Sequence, residues 1–303
     1  MLFLIRAVAR LSLCNLQRLG FVLGWLGYAF SRTYRRRLVD HATQAGLTPA
    51  QRREAVASAG RMVAELPRLW LRPRDEPLGA LVQWQGDALL DKAIRDGRGV
   101  VLLTPHLGCF EIAAQAIAEH FGQRITLTVM YRPAKQAWLS ELQRTTRDRP
   151  GLVAVPAATS GVRQMIRALR RGQAVGLLPD QVPPLGQGVW APFFGRPAYT
   201  MTLAARLVQQ TGATLLSIWV ERLAAGRGYV VRVAELAEPL SLPGLDEAAL
   251  QAHSAGVVNR EMERLIGQRP GQYLWAYHRY KPPREPGAER AEGSGRMGDG
   301  AAS

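Results

Sequence analysis

The chain is poor in cysteine, in acidic residues and in long apolar runs. Its 303 residues include two cysteines, Cys14 and Cys109, which offer neither a disulfide framework nor a zinc-ligand spacing and suit a reducing compartment. No Walker A loop and no GxSxG elbow occur either. These absences argue against a P-loop nucleotide site and against a serine hydrolase.

Acidic residues are outnumbered by basic ones. The 39 lysines and arginines against 24 aspartates and glutamates give a formal net charge of +15 at pH 7. Such a surplus favours polyanionic partners, which include nucleic acid, anionic lipid headgroups, phosphorylated substrates and acidic proteins. Because no nucleic-acid-binding motif accompanies the charge, nucleic acid is the disfavoured member of this group.

The N-terminal segment is apolar without being long enough to span a bilayer unaided. Its charge-free stretch from Leu19 to Phe30 falls short of the roughly 20 residues that a spanning helix needs. Four arginines follow within residues 32–37, and by the positive-inside rule they and the rest of the chain stay cytoplasmic. We predict that residues 1–37 are a membrane anchor, spanning or interfacial, with a buried amphipathic helix as the alternative.

Strand and helix patterns alternate through the middle of the chain. Continuous apolar runs predict strands at 99–104, 124–131, 152–155 and 173–180, and helical periodicity predicts helices at 110–120, 134–147 and 160–172. Residues 213–222 and 228–236 predict a hairpin, and 245–267 a final helix. The predicted fold is therefore α/β, a mostly parallel central sheet flanked by helices, over residues 38–281, followed by a disordered tail at 282–303.

The segment TPHLGCFE, residues 104–111, places three reactive groups at the end of a buried strand. With His106 in the loop and Glu111 in the first helical turn, a tight turn at Gly108 would let the carboxylate reach the imidazole. Such a pair would act as a general base on a substrate hydroxyl. The alternative is that Glu111 only complements the helix dipole. Cys109 is a possible nucleophile, but its position predicts a buried small hydrophobe.

Other polar groups fall at the same predicted sheet edge. Arg132 follows the strand at 124–131, with Lys135 one turn later, and Asp180 and Gln181 end the strand at 173–180. The carboxyl ends of parallel strands are where such sheets bind ligands, and paired cations suit phosphate. The aromatic loop at 182–200 would suit a lid or a chain-binding wall, or else an ordinary buried loop. GQYLWAYHRYK, residues 271–281, would suit a membrane interface or nucleic acid.

Five segments together carry a resemblance to a known family. They are VLLTPHLGCFE, VMYRPAK, SGVRQMIRALRRGQAVGLLPDQ, GVWAPFFGRPAYT and GQYLWAYHRYK. The chain resembles the late acyltransferases of lipid A biosynthesis, the lauroyl and myristoyl transferases, from its N-terminus to about Lys281. Glycerol-phosphate acyltransferases would usually show Phe-Pro-Glu-Gly-Thr where this chain has LLPDQVPPLG. The chain departs from the family after the predicted anchor, where RRRLVDHATQAG replaces the common Arg-x-Asn-Leu segment.

The resemblance implies a glycerolipid-acyltransferase-like fold and an inner-membrane enzyme active on the cytoplasmic face. It would transfer a fatty acyl group from acyl carrier protein to a 3-hydroxyacyl hydroxyl of a phosphorylated, Kdo-bearing lipid A precursor, without metal or cofactor. His106 would be the general base and Glu111 its orienting partner, with Arg132, Arg163 and Asp180 near the substrate. Two alternatives stay open. One is the same chemistry on a lysophospholipid, aminolipid or mannosylated lipid, and the other is a non-catalytic anionic-lipid binder.

Overall fold

The computed structural model describes residues 2–73, 75–131 and 149–285, with side chains described from residue 5 onward. The helices in these ranges are α1 (Leu2–Ala9), α2 (Leu13–Phe30), α3 (Arg32–Gln44), α4 (Pro49–Leu71), α5 (Asp87–Arg95), α6 (Phe110–Phe121), α7 (Thr159–Arg170), α8 (Leu203–Thr211) and α9 (Glu247–Gln268). The strands are β1 (Val82–Gln85), β2 (Val100–Leu103), β3 (Leu127–Tyr131), β4 (Leu152–Pro156), β5 (Ala174–Leu177), β6 (Gly188–Phe193), β7 (Arg196–Met201), β8 (Thr214–Arg222) and β9 (Tyr229–Glu235).

Seven strands form one mostly parallel sheet in the order β1-β9-β8-β2-β5-β3-β4. Among the described strands of this sheet, the one antiparallel pairing joins β8 to β9, which confirms the predicted hairpin. Strand β2 lies at the centre, parallel to β8 on one side and to β5 on the other. The predicted α/β class with a mostly parallel sheet is confirmed, and strand β1, which the sequence pattern did not reveal, extends the sheet beside β9.

The central strand is apolar because helices cover both faces of the sheet. All four residues of β2 are buried, and they divide between two apolar clusters, one on each face. Leu103 faces the cluster that includes Trp219 and Met262, and Leu102 faces the one that includes Ile112. Burying each leucine side chain contributes about 1.5–3 kcal/mol. This burial fixes the strand from which the TPHLGCFE segment emerges.

The N-terminal helices pack on the domain through a close crossing of α2 and α4. A side-chain carbon on Gly60 would lie 2.0 Å from the carbonyl oxygen of Gly20, so only glycines allow this approach. Helix α4 begins at a capping box between Thr48 and Gln51 and continues past Pro67 to Leu71. Within the described residues, no helix combines the length and the apolar character that crossing a membrane requires.

Three predicted segments differ from the structure or lie outside it. The aromatic loop at 182–200 contains the antiparallel β6–β7 hairpin, whose Phe193 is buried while Trp190 is half exposed. The carbonyl oxygen of Arg284 accepts a hydrogen bond from the backbone N–H of Leu185, so the chain still contacts the domain just after residue 282. The predicted helix at 134–147, and residues 286–303 of the predicted tail, lie outside the described residues.

Candidate active site

His106 and Asp180 meet at the carboxyl ends of two adjacent parallel strands. The register pairs Leu103 of β2 with Leu177 of β5, and each site residue follows three positions later. Asp180 Oδ1 lies 2.7 Å from His106 Nδ1, and Asp180 Oδ2 accepts the backbone N–H of residue 106 at 2.8 Å. With its proton held on Nδ1 by the carboxylate, the imidazole presents Nε2 as a base.

Asp180 stays ionised in spite of its burial. Its side chain is 1% exposed, and burial acts to raise the pKa of the carboxyl group. The charge and hydrogen bonds of His106, with a further contribution from Arg279, outweigh burial and leave that pKa below its usual value. A buried carboxylate in contact with Nδ1 stabilises the imidazolium that forms when Nε2 takes up a proton.

The other edge of the imidazole faces Gln181, Phe110 and an opening. Gln181 Nε2 lies 3.0 Å from His106 Nε2, so its amide N–H donates to the ring when Nδ1 carries the proton. The Phe110 ring contacts the imidazole edge to face, with ring centroids 4.6 Å apart. The side chain of His106 is 16% exposed, which leaves Nε2 accessible from the pocket described next.

An apolar pocket of about 420 Å³ opens beside His106. It lies between helices α2 and α4 and the segment at 273–277, with His106, Asp180 and Gln181 as its polar part. The volume falls in the range of small-molecule sites, about 300–1,000 Å³. Its remaining walls come from Leu23, Gly24, Gly27, Tyr34, Ala59, Gly60, Met62, Val63, Tyr273, Leu274, Ala276 and Tyr277. The arrangement brings a base to an alkyl-lined space.

The predicted contact between Glu111 and His106 is wrong. The two residues share no hydrogen bond or ion pair, and the carboxylate that holds the ring belongs to Asp180. Glu111 lies in the first turn of α6 and accepts a hydrogen bond from Trp70 Nε1 of α4 at 3.4 Å. The neighbouring strand β5 delivers Asp180 directly alongside His106, whereas the start of α6 directs Glu111 toward α4. Gly108 does make the expected tight turn, with φ +63°.

The other predicted site residues fall in different places. Arg163 lies exposed on α7, and the pocket walls do not include it. Arg132 lies outside the described residues. Cys109 is buried, as the sequence predicted, and burial raises the pKa of its thiol well above the usual range. A buried neutral thiol is a poor nucleophile, which leaves His106 as the reactive group of this segment.

A buried arginine that sequence reasoning missed supports the same loop. Arg222, the last residue of β8, donates from Nε to both oxygens of Glu65 at 2.8 and 2.9 Å. Its Nη2 donates to the carbonyl oxygen of Gly108 at 3.1 Å, and its backbone N–H donates to Gln272 Oε1 at 2.9 Å. The pattern VER, which ends an otherwise apolar strand with two charges, was the available sign. These bonds fix the turn between His106 and α6.

In the part of the chain that the structure describes, no three His, Cys, Asp or Glu side chains come together as a possible ligand set. The groups at the site are instead a base, its buried carboxylate, an amide and apolar walls. This set can remove a proton from a substrate that lies in the pocket.

Comparisons with known proteins agree with this chemistry. The family model described as bacterial lipid A biosynthesis acyltransferase matches residues 48–282. The lipid A biosynthesis lauroyltransferase of Escherichia coli K12 is 26% identical over 283 residues, which cover 90% of this chain and 88% of that one. The myristoyltransferase of the same organism is 26% identical over 278 residues, 90% of this chain and 81% of its own. The palmitoleoyltransferase is 25% identical over 229 residues, covering 75% and 70%. The chain therefore belongs to the bacterial lipid A biosynthesis acyltransferase family and is an acyltransferase.

Proposed function

We propose that the chain transfers a fatty acyl group from acyl carrier protein to the hydroxyl of a 3-hydroxyacyl chain on a phosphorylated, Kdo-bearing lipid A precursor. The observation that carries the proposal is the position of His106, held by a buried carboxylate at one end of an apolar pocket. An alkyl chain in that pocket would bring its hydroxyl or thioester carbon to the base. No protein nucleophile is needed, since the substrate supplies the attacking oxygen.

The proposed reaction is a general-base acyl transfer. His106 Nε2 removes the proton of the acceptor hydroxyl while the oxygen attacks the thioester carbonyl carbon. A carbon–oxygen bond forms, the carbon–sulfur bond breaks, and the departing thiolate takes the proton from the imidazolium. Asp180 stabilises the imidazolium between these steps, because its lowered pKa keeps it charged. The products are an ester and the free thiol of the carrier.

Three further residues keep proposed roles at this site. We keep Glu111 as a proposed site residue for two reasons. Its carboxylate accepts a hydrogen bond from Trp70 of α4, the helix that lines the pocket, and it directly follows Phe110, whose ring contacts His106. Its action would be positional rather than a direct contact with the base. Arg132 would bind lipid phosphate or stabilise the transition state, and Arg163 would lie near the substrate, as the family resemblance implies.

The proposed location is the cytoplasmic face of the inner membrane. Helix α2 exposes Phe21, Val22, Leu26 and Phe30, with Phe30 85% exposed. Pocket-lining residues of α2 and α4 share this exposed side, since Leu23 is 40% and Val63 54% exposed. An apolar helix face followed by basic residues suits binding in the plane of an anionic lipid surface. In that orientation the pocket opens toward the lipid, and an acyl chain reaches His106 without crossing water.

A reconstituted reaction tests the proposal. Purified protein in mixed micelles would receive acyl carrier protein loaded with a labelled fatty acid, together with a Kdo-bearing lipid A precursor. Mass spectrometry should show one added acyl chain in ester linkage to a 3-hydroxyacyl group, and His106→Ala protein should give none. If a lysophospholipid or an aminolipid is acylated and the lipid A precursor is not, the proposed acceptor is wrong although the acyl transfer stands. Absence of thioester-dependent transfer to any of these lipids would contradict the reaction itself.

A further inference from the structure

A cluster of cations surrounds the C-terminal segment WAYHRYK. The imidazole rings of His278 and His41 lie nearly parallel, with centroids 6.4 Å apart and an interplanar angle of 12°. Lys281 Nζ lies 5.2 Å from the centre of the Tyr277 ring. Arg196 stacks over Tyr280, its guanidinium carbon 4.5 Å from the ring centre. Residues far apart in sequence thus bring several positive charges to one place.

The electrostatics of His278 show that the cluster is cation-rich. Partial burial lowers the pKa of its imidazole, and the charges of Arg37, His41, Lys281 and Arg196 lower it further. Within the described part of the chain, the carboxylate that ion-pairs with this cluster is the exposed Asp40, whose Oδ2 lies 3.5 Å from Arg196 Nη1. Like charges held this close are costly unless an anion compensates them.

Two members of this cluster, Arg37 and His278, have donors that are available. Among the described residues, neither the guanidinium of Arg37 nor the ring nitrogens of His278 have a hydrogen-bond or ion-pair partner. By contrast, the adjacent Arg279 is buried and donates to the backbone oxygen of Tyr199 and to Thr200 Oγ1, at 2.6 and 2.7 Å. Arg279 therefore anchors the segment, while Arg37 and His278 remain free to bind a ligand.

The cluster adjoins the mouth of the apolar pocket. Tyr34 and Tyr277 line the pocket, and Arg37 follows Tyr34 by three residues on α3, while His278 follows Tyr277 directly. Residues three apart on a helix lie on the same side, so Arg37 is about one turn from the pocket wall. An amphiphile whose acyl chain enters the pocket would place its polar headgroup within reach of these cations.

We propose that Arg37, His278 and Lys281 form the binding site for a phosphate group of the acceptor glycolipid, at the rim of the acyl pocket. This inference rests on the proposed function, because it takes the acceptor to be a phosphorylated lipid. Arginine and lysine supply charge-assisted hydrogen bonds to phosphate oxygens, and the imidazole of His278 adds a third donor once it is protonated. Binding of the phosphate would draw that proton onto His278.

A lipid phosphate fits the site better than the acidic surface of a carrier protein does. Arg37, His278 and Lys281 are half-buried, and they lie beside two tyrosines that continue into the apolar pocket. An acidic helix of a protein partner would meet protruding arginines, such as the exposed Arg32 and Arg36 on α3. A recessed group of donors next to an alkyl-lined space matches a single phosphate attached to an acyl chain.

Steady-state kinetics with two acceptors tests the proposal. The lipid A precursor would be compared with the same lipid after enzymatic removal of its phosphates. Arg37→Ala and Lys281→Ala should each raise KM for the phosphorylated acceptor about tenfold, the loss expected for one charged hydrogen bond, and leave KM for acyl carrier protein unchanged. Both variants should lose most of the preference for the phosphorylated lipid, and Arg37→Lys should retain part of it.

A matched control and a second readout separate the possible outcomes. Arg170→Ala removes an exposed arginine at the far end of α7 and should change neither KM. In an NMR titration, inorganic phosphate should raise the pKa of His278 in the wild-type protein and not in Arg37→Ala. If the variants raise KM for the carrier protein instead, the cluster binds that protein. If wild-type protein acylates both lipids equally well, the phosphate site is wrong although the acyl transfer stands. If it acylates neither, the proposed function fails.

Discussion

Two buried ionic pairs meet the same loop from opposite sides and have different consequences. The pair of His106 and Asp180 borders the pocket, and the imidazole keeps one nitrogen accessible. The pair of Arg222 and Glu65 is closed, with side chains 3% and 1% exposed. Both contain a buried carboxylate and a nitrogen base or cation. Access from the pocket, rather than charge, makes one pair reactive and the other structural.

The closed pair is fully engaged by its neighbours. Arg222 donates to Glu65, to Ser58 Oγ and to the carbonyl oxygen of Gly108. Burial acts to lower the pKa of Arg222, but the charge of Glu65 outweighs burial and leaves that pKa raised. Removing one member of such a pair strands a charge in the core, which costs far more than the pair contributes. In the open pair, Nε2 contacts only the exposed amide of Gln181 among the described side chains, and a substrate hydroxyl in the pocket can take the place of that amide.

Replacing His106 with asparagine should have the largest effect on activity. The asparagine amide can still donate to Asp180, so the carboxylate keeps a partner and the fold is retained. The base at Nε2 is lost, and we expect kcat/KM to fall by about 10²–10⁴-fold, the usual contribution of general-base catalysis. Acyl transfer from labelled carrier protein measures the loss, and thermal unfolding checks the fold. Retention of most activity would mean that another group takes the proton.

Asp180→Asn should lower activity within the same range of about 10²–10⁴-fold. In the wild-type protein the two carboxylate oxygens accept separately from the backbone N–H of residue 106 and from Nδ1, and asparagine replaces one of these oxygens with an NH₂ group. If the oxygen takes the backbone N–H, the amide NH₂ faces Nδ1 and moves the ring proton to Nε2, which abolishes the base. A rate near the wild-type value would show that the carboxylate does not set the tautomer. The matched variant Asp96→Asn alters an exposed carboxylate at the end of α5 and should leave the rate unchanged.

Asp180 should also contribute to the decrease of the unfolding free energy at acid pH. The pKa of its carboxyl group is lower in the folded chain than the ordinary value of about 3.9 that it has when unfolded. The unfolded chain therefore binds this proton first, and the stabilisation is present above about pH 4 and lost as pH falls through the folded pKa. Urea unfolding at a series of pH values should show a shallower loss of stability in Asp180→Asn than in wild type. Parallel curves would contradict the ionised assignment.

Arg222→Met should mainly lower stability, whereas the substitutions at His106 and Asp180 mainly lower activity. Leaving Glu65 buried without its partner costs about 3–5 kcal/mol of unfolding free energy. The control is Arg232→Met on β9. The Arg232 side chain is 29% exposed, and its partner Glu221 keeps an ion pair with Arg269, so this loss should cost about 0–1 kcal/mol. Urea unfolding measures both values. If the two variants were equally stable, the closed pair would not support the loop.

The sequence predicts only part of this site, because the rest depends on the order of the strands in the sheet. Because both strands end at the same edge, the sequence placed His106 and Asp180 at the same edge of a parallel sheet. The sequence does not reveal that β2 and β5 are neighbours, so local spacing favours Glu111, the nearer residue in sequence, as the partner. Pairing between strands more than 70 residues apart depends on packing of the whole sheet, whereas local spacing only describes the turn.

Fold elements with strong local patterns were predictable, and those fixed by distant contacts were not. The apolar run of β2 and the β8–β9 hairpin were identified from their own residues. The close crossing of α2 and α4 depends on Gly20 and Gly60, which lie forty residues apart, and no periodic pattern in the sequence predicts it. The same holds for the partnership of Arg222 with Glu65, which joins a strand end to the middle of α4.

Cys109→Ala should have the smallest effect, and it sharpens the contrast between the pairs. The thiol is buried on the side of the loop that faces the closed pair of Arg222 and Glu65, where Glu65 and Tyr229 lie next to it. It takes no part in the pocket wall. Removing one sulfur atom from the core should cost about 1 kcal/mol and leave kcat/KM within twofold of wild type. In the folded chain, Cys14 should react with a maleimide faster than Cys109, since it is less buried. Loss of acyl transfer in the alanine variant with the fold intact would place the nucleophile on the closed side and overturn the assignment to His106.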